Sequence, residues 1–371
     1  MMLHGAIPAA HYHRPDVFAN ERDAVFRRAW MFVGFAEDLA NHQDFVTAEL
    51  GGISVVVQNF EGELRAFRNV CSHRFSKIQC AGKGNRPLTC PYHGWTYNRE
   101  GVPVGIPHNE TNFGLDRAGK AKLALEQFQV DRCGRFVFVR MDPGGPDLRT
   151  FLHNCWDLLS HCTEVFTDHF DAYEFEIAAN WKIVVENALE GYHLKTVHNE
   201  TFAPAFADLE IETVAYGDHA GYLGHISDHA KAWWDNSVRR LGMAPSTVYR
   251  EYDNFLLFPN IVMTLSYGCV ATFQTMEPVS IDRTRFRSWM ALAHAPGGRK
   301  SEAVHKAVTA SMRNLSHRIL DEDKGVCEVV QSAIGQVAPD RLPVFGHLEA
   351  RVHHFHNRYM AWMAGTEGDA R

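Results

Sequence analysis

Two short segments, Cys71-Ser72-His73 and Cys90-Pro91-Tyr92-His93, each carry one thiol and one imidazole, with sixteen residues between them. Two thiolates and two imidazoles in this Cys-x-His and Cys-x-x-His order suit a [2Fe–2S] cluster, both cysteines holding one iron and both histidines the other. The same donors also suit a structural zinc ion. Zinc loops usually pair like with like, Cys-x-x-Cys followed by His-x-x-x-His. Here each loop offers one ligand to each iron, and Pro91, Gly94 and Trp95 fit a tight loop that shields sulfide. The cluster is the preferred reading, and it implies one-electron chemistry. Cys80 lies in the gap without a ligand partner and reads as a packing thiol.

A second constellation lies in residues 180–200, where Glu190, His193 and His198 stand close in sequence. At about 100° per residue, Glu190 and His193 share one helix face, whereas His198 sits about 140° from His193. For both imidazoles to meet one ion, the helix must end or loosen between them; Gly191 and Thr196-Val197 favour this. Two neutral imidazoles and one carboxylate form the facial triad of mononuclear Fe(II) sites, with positions open for O2. The carboxylate must come from elsewhere in the chain. Asp321-Glu322-Asp323, ahead of Cys327-Glu328-Val329-Val330-Gln331, is the best source, against the competing reading of a solvated acidic helix surface.

The elements that must position these groups fall into two halves. At 371 residues the chain is long enough for two domains, and 46% apolar with 22% charged residues is a globular composition. Residues 16–34 have helical spacing and predict a lead-in helix. From about 45 to 140 short β-type runs alternate with turn signals and predict a small antiparallel domain. Asp142-Pro143-Gly144-Gly145-Pro146 is the linker candidate. Beyond it the pattern predicts a helix over 150–162, a strand near 172–178 and a long helical run from Trp181 towards Leu194. A loop-rich stretch to about 248, β-type runs at 255–277 and 283–293, and helices over 301–333 and 349–363 follow. The fold class is therefore α+β, an antiparallel sheet with helices on one face.

The net charge of −7 without a basic block argues against nucleic-acid or anionic-membrane partners. No apolar run reaches membrane-span length, the start lacks a leader pattern, and eight scattered cysteines fit a reducing compartment. The expectation is a cytoplasmic protein.

CSHR…CPYHGWTY, ANWKIVVENALEGYHLKTVH, the Leu257–Asn260 LFPN segment and the acidic helix ending in VVQ occur in this order. Together they resemble the α (terminal oxygenase) subunit of the Rieske non-haem iron, or ring-hydroxylating, oxygenases, over nearly the whole chain. The resemblance implies a lead-in helix over 1–38 packing on the catalytic domain, a Rieske [2Fe–2S] domain over 39–145 and a helix-grip catalytic domain over 146–371. It implies that Cys71, His73, Cys90 and His93 hold the cluster. It assigns His193, His198 and Asp323 to a mononuclear Fe(II), with Asp321 and Glu322 as weaker alternatives for the third ligand. It also implies a homotrimer, with or without a small β subunit, in which Glu190 bridges His193 to His93 of a neighbouring copy. Many relatives have Asp at this bridge, and Glu occurs in branches acting on quaternary amines. Asn187, one turn before Glu190, is a candidate second-shell donor.

The resulting expectation is a terminal oxygenase fed from NAD(P)H by a reductase, with or without a ferredoxin, that activates O2 beside a small organic substrate. The pocket sheet is expected at Phe255–Met276, with Phe255, Phe258, Ile261, Met263, Leu265 and Phe273 as apolar wall and Thr264 and Ser266 as polar points. This favours an aromatic substrate. An N-methyl or quaternary-ammonium compound is the alternative, for which Trp233-Trp234 could form a cation cage, with ordinary packing as the competing reading. A Rieske electron carrier and a structural zinc protein are the remaining alternatives; the second histidine motif and the large second half disfavour the carrier.

Overall fold

The computed structural model describes residues 2–366, apart from the side chains of 208–211, and divides into two units. One is Phe26–Phe151; the other joins the residues up to Val25 to those from Leu152 onward.

The first unit is built on seven antiparallel strands. In chain order they are β1 (Met31–Phe35), β2 (Asp44–Leu50), β3 (Ile53–Phe60), β4 (Glu63–Arg68), β5 (Lys83–Asn85), β6 (Gln127–Cys133) and β7 (Phe136–Arg140), arranged β1-β7-β6-β4-β3-β2-β5. A separate two-stranded ribbon pairs Thr96–Tyr97 with Pro103–Gly105. One apolar cluster, with Phe45, Val56, Phe67, Ile78, Leu88, Trp95 and Tyr97, also takes in Cys71 and Cys90. The cysteines are thus part of the core, and their loops cannot drift without unpacking it.

The lead-in helix is shorter than its spacing predicts. It covers Pro15–Glu21 (α1), runs into a π-type turn over Arg22–Phe26, and gives way to β1. Met31–Phe35 is a short apolar run whose backbone pairs with β7, and Phe32 packs edge-on against Phe138. Pairing with a distant strand overrides the local helical period, which moves the start of the first unit to Phe26.

The second unit has its own seven-stranded antiparallel sheet. Its strands are β8 (Asp168–Ile177), β9 (Phe206–Tyr216), β10 (His219–Ile226), β11 (Tyr252–Leu257), β12 (Ile261–Ser266), β13 (Val270–Ser280) and β14 (Arg283–Leu292), ordered β8-β14-β13-β12-β11-β10-β9. Helices α2 (Cys155–Val165), α3 (Trp181–Ala188), α4 (Leu194–Val197), α5 (Asp228–Leu241), α6 (Glu302–Ile334) and α7 (Ala350–Ala364) complete the unit. The stretch to 248 expected to be loop-rich contains β9, β10 and α5. Ser227 caps α5 by accepting from the Ala230 amide at 3.3 Å, and left-handed Gly242 ends it.

Five hydrogen bonds fix α3. At its N-terminus the Asn180 amide donates to Gln331 Oε1 of α6 at 2.8 Å, and Asn180 Oδ1 accepts from the Lys182 amide at 3.0 Å. Lys182 Nζ pairs with Glu21 Oε1 of α1 at 2.5 Å, both side chains fully buried, and Trp181 Nε1 donates to Glu21 Oε2 at 2.9 Å. On the next turn Glu186 accepts from Tyr12 Oη at 2.6 Å. Breaking one side of such a buried pair strands a charge, at a cost of about 3–5 kcal/mol.

Candidate metal centres and substrate pocket

The two cysteine loops fold alike. The Phe75 amide donates to the Cys71 carbonyl at 3.0 Å, and the Gly94 amide to the Cys90 carbonyl at 3.0 Å. Both donors are left-handed, Phe75 at φ +61° and Gly94 at φ +71°. A phenylalanine in that region is uncommon, and this one is 80% exposed. The turns bring His73 and His93 together, their ring centroids 4.7 Å apart. Trp95 stacks on His73 at 4.8 Å with an interplanar angle of 4°, and Tyr92 covers His93. Tyr97 Oη lies 3.1 Å from Cys71 Sγ and accepts from the Ser72 amide at 3.1 Å. Burial pushes the Cys71 thiol up, while Tyr97 opposes the shift. Two buried free thiols beside two paired imidazoles fit a [2Fe–2S] cluster with mixed ligands.

In the second unit, ligand-type atoms of His193, His198 and Asp323 lie within 4.8 Å of one another. Helix α3 ends at Ala188, so the break falls before His193 and not between the histidines as expected. A single helical turn, α4, then spans His193 to His198. Arg351 and Asn254 fix the break: Arg351 Nε donates to the Leu189 carbonyl at 2.9 Å and Asn254 Nδ2 to the Ala188 carbonyl at 3.2 Å. Arg351 Nη1 in turn donates to Asn254 Oδ1 at 2.9 Å, and the guanidinium lies 4.4 Å from the Tyr222 ring centroid. Glu190 Oε2 accepts from the Tyr192 and His193 amides and so caps α4, while Oε1 engages His193 Nδ1. Glu190 therefore meets His193 through a turn, not across a shared helix face.

Each histidine has a carboxylate on Nδ1. Glu190 engages His193, and Glu322 Oε2 lies 2.7 Å from His198 Nδ1 while accepting from Thr201 Oγ1 at 2.6 Å. This leaves both Nε2 atoms facing Asp323 Oδ1, His198 at 2.9 Å and His193 at 3.6 Å. Such second-sphere carboxylates fix the tautomer and orientation of a metal-binding imidazole. Glu322, weighed as a ligand on the sequence, instead meets His198 Nδ1 and Thr201, a placement no local sequence signal reveals. Asp321 faces away, close enough to Tyr173 to act on it electrostatically. Asn187 Nδ2 donates to Asp323 Oδ1 at 2.7 Å.

Charge follows the geometry. Burial works against an ionised Asp323, but His193, His198 and Asn187 hold it down at about 2. Burial likewise opposes a charged His193, but contacts with Asp323 and Glu190 raise it to about 9. One firmly ionised carboxylate and two oriented imidazoles are a donor set that fits Fe(II), which on binding would displace the proton His193 otherwise holds.

Beside this triad lies a cavity of about 150 Å³. Its sheet wall is one cross-strand row, Tyr222–Asn254–Thr264–Thr272–Met290, with Ser266 and Gln274 adjoining. The apolar residues expected to line it, Ile261, Met263, Leu265, Phe273 and Phe255, have the opposite parity and point through the other face, and Phe258 packs on Phe355 and Trp362. Strands buried on both faces are apolar at both parities, so alternation cannot say which face holds the pocket. Phe175, Phe202, Tyr252 and Phe286 complete the aromatic part of the lining, and the long helix adds Met312 and Ser316. Trp233 and Trp234 stand edge to face at 4.7 Å in the apolar cluster that also holds Tyr222, Tyr252 and Met290 of the cavity wall, but neither lines the cavity, so they form no cage there.

A cluster-binding fold and a mononuclear-metal fold in one chain define an iron-dependent redox protein. Two family models match: "Rieske [2Fe-2S] domain" over residues 29–129, and "Ring hydroxylating alpha subunit (catalytic domain)" over residues 167–365. The chain belongs to the ring-hydroxylating α subunits of the Rieske oxygenases, a family that uses a [2Fe–2S] cluster and a mononuclear iron. The carnitine monooxygenase oxygenase subunit of Escherichia coli (strain K12) is 35% identical over 208 residues, 54% of this chain and 53% of that protein. The anthranilate 1,2-dioxygenase large subunit of Acinetobacter baylyi is 31% identical over 201 residues, 50% of this chain and 41% of that protein. The chain thus spans about half the length of these relatives. The structure of the quaternary ammonium Rieske monooxygenase CntA with L-carnitine has the same fold, at 20% identity and TM-score 0.77, covering 97% of this chain and 96% of that one.

Proposed function

We propose that the chain is the terminal oxygenase component of a multicomponent system in which a reductase, with or without a ferredoxin, delivers electrons from NAD(P)H. The observation that carries this reading is the convergence of His193, His198 and Asp323, each imidazole backed by its own carboxylate. In this reading Cys71, His73, Cys90 and His93 hold the cluster. When bound, the cluster supplies single electrons and the mononuclear iron supplies O2 activation. Glu190 keeps His193 Nε2 turned to the metal, Glu322 does the same for His198, and Asn187 holds Asp323. In a monooxygenation, O2, two electrons and two protons convert R–H to R–OH and water; in a dioxygenation both oxygens enter the substrate. A hydroxymethyl group formed on nitrogen breaks down with loss of the carbon, giving demethylation.

The substrate is a small organic molecule. The cavity offers aromatic rings and neutral donors and acceptors, and no Lys or Arg side chain lines it among the described residues. An aromatic substrate agrees with the rings and with the anthranilate dioxygenase relative. The second reading, an N-methyl or quaternary-ammonium substrate, rests on the carnitine monooxygenase relative, on Glu190, and on rings able to face a cation. We further infer a homotrimer, with or without a small β subunit, in which Glu190 relays electrons from His93 of a second copy, in a cytoplasmic setting.

The test couples the purified protein to a surrogate reductase under 18O2 with both substrate classes. Label in the product of one class supports the oxygenase reading and selects between the two. NAD(P)H oxidation with neither a labelled product nor formaldehyde released from either class contradicts it. Glu190→Gln, assayed with iron in excess so that both metals stay bound, is expected to lower single-turnover product formation on the order of 10²-fold, since such hydrogen-bond partners are worth 10–100-fold. Unchanged single-turnover kinetics would remove Glu190 from the relay.

A further inference from the structure

We propose that a second cavity, on the face of the catalytic sheet opposite the histidines, binds a small organic cation of the alkylammonium class with Asp253 as its counter-ion. The cavity measures about 280 Å³ and lies between β9–β11 and the start of α2. Asp253 lines it and is only 7% exposed, and its Oδ2 has no hydrogen-bond partner. A buried carboxylate oxygen without a donor from its own chain costs roughly 1–3 kcal/mol or more, so a positive charge brought against this side chain is favoured.

The surroundings say which partner fits. No Lys, Arg or His side chain lines the cavity among the described residues, so nothing in this chain neutralises Asp253 there. A second carboxylate, Glu212, stands exposed on the same lining, on the edge strand of the sheet. Tyr216, Tyr249 and Phe255 bring aromatic rings to a wall that also includes Tyr222, Leu158 and Leu223, and Tyr249 meets Phe255 edge to face at 5.7 Å. Burial first, and then Glu251, raise Asp253 to about 7, which shows how strongly the site resists an uncompensated negative charge. Anion plus ring faces in a partly desolvated cavity is the arrangement that attracts an alkylated ammonium, which needs no hydrogen-bond acceptors of its own.

β11 joins this cavity to the metal pocket. Asn254, the next residue, points through the other face and carries the hydrogen bonds to Ala188 and Arg351 that end α3. Neither Asp253 nor Glu212 lines the metal pocket, so variants at these positions read the second cavity alone.

The test is calorimetric titration of tetramethylammonium chloride into the iron-loaded holoenzyme, with tert-butanol as an uncharged probe of similar size. A binding event weakened about tenfold or more in Asp253→Asn, with cluster absorbance and iron content unchanged, is expected. Glu212→Gln, at an exposed position, is expected to weaken it a few-fold and gives a reading even if Asp253→Asn does not fold. The proposal is overturned if the wild-type protein shows no uptake, if tert-butanol binds equally well, or if the soluble variants bind the cation as the wild type does.

Discussion

In the Phe26–Phe151 unit all four proposed cluster donors lie between positions 71 and 93, on two loops closed by the same turn hydrogen bond and anchored in one apolar cluster. In the other unit the three proposed metal donors are spread from 193 to 323, and their placement depends on contacts that run farther still. Gln331 ties α6 to the start of α3, Glu21 holds Lys182 from the N-terminal segment, and Arg351 of α7 holds the carbonyl at the end of α3. The first site is made by local chain geometry and the second by long-range clamps. The first should therefore respond to changes within its own loops. The second should respond to substitutions far from its metal.

The sharpest way to break this contrast is to remove one ligand from each site. Cys90→Ser is expected to abolish the cluster's visible absorbance and reduce turnover to background. Asp323→Ala is expected to abolish turnover equally while leaving that absorbance intact and removing about one iron per chain. Loss of the cluster spectrum in Asp323→Ala would show that the sites do not assemble independently.

A remote substitution comes next. Glu21→Gln leaves Lys182 buried without its partner, at an expected cost of about 3–5 kcal/mol. Calorimetry should show the melting of the catalytic unit shifted down by several degrees, with the absorbance of the native cluster kept until the original temperature. An unshifted melt would mean the N-terminal clamp contributes little.

Glu322→Gln probes the outer shell of the second site. It is expected to weaken iron binding about 10–100-fold, measured by competition with a chelator, because His198 loses the carboxylate on Nδ1. The analogous change at Tyr97 to Phe is expected to leave the cluster bound, since packing and turns already hold its loops.

The smallest effect concerns pH. Asp253 is ordinarily near 3.8 and is raised to about 7 in the fold. Its folded value lies above its unfolded one, so its contribution is fully present below about pH 4 and is lost as pH rises towards 7. Asp253→Asn should therefore melt higher than the wild type at pH 8 and equally at pH 4, the difference amounting to a few kcal/mol at most. A constant offset across this range would argue against a titrating Asp253.

What was readable in the sequence follows the same divide. The Cys-x-His and Cys-x-x-His spacing carries the cluster loops almost completely, because the chemistry sits inside one hairpin-sized segment. Glu190, His193 and His198 were also readable as a group. The turn that assembles them was misplaced, since the signals that end α3 come from Arg351 and Asn254, 162 and 66 residues away. Glu322 looked like a spare ligand because sequence cannot tell a carboxylate on a metal from one on a ligand's Nδ1. The pocket wall was assigned to the wrong parity because Ile261, Met263 and Leu265 are as apolar as any pocket residue. The lead-in helix was overextended because β1 owes its strand state to β7, about a hundred residues on.

Iron and acid-labile sulfide per chain, measured on the purified protein alongside its visible and electron paramagnetic spectra, test the central claim most directly. About three irons and two sulfides, with a cluster spectrum typical of mixed thiolate and imidazole ligation, are predicted. Two irons and two sulfides with no mononuclear signal, or zinc in place of iron, would contradict it.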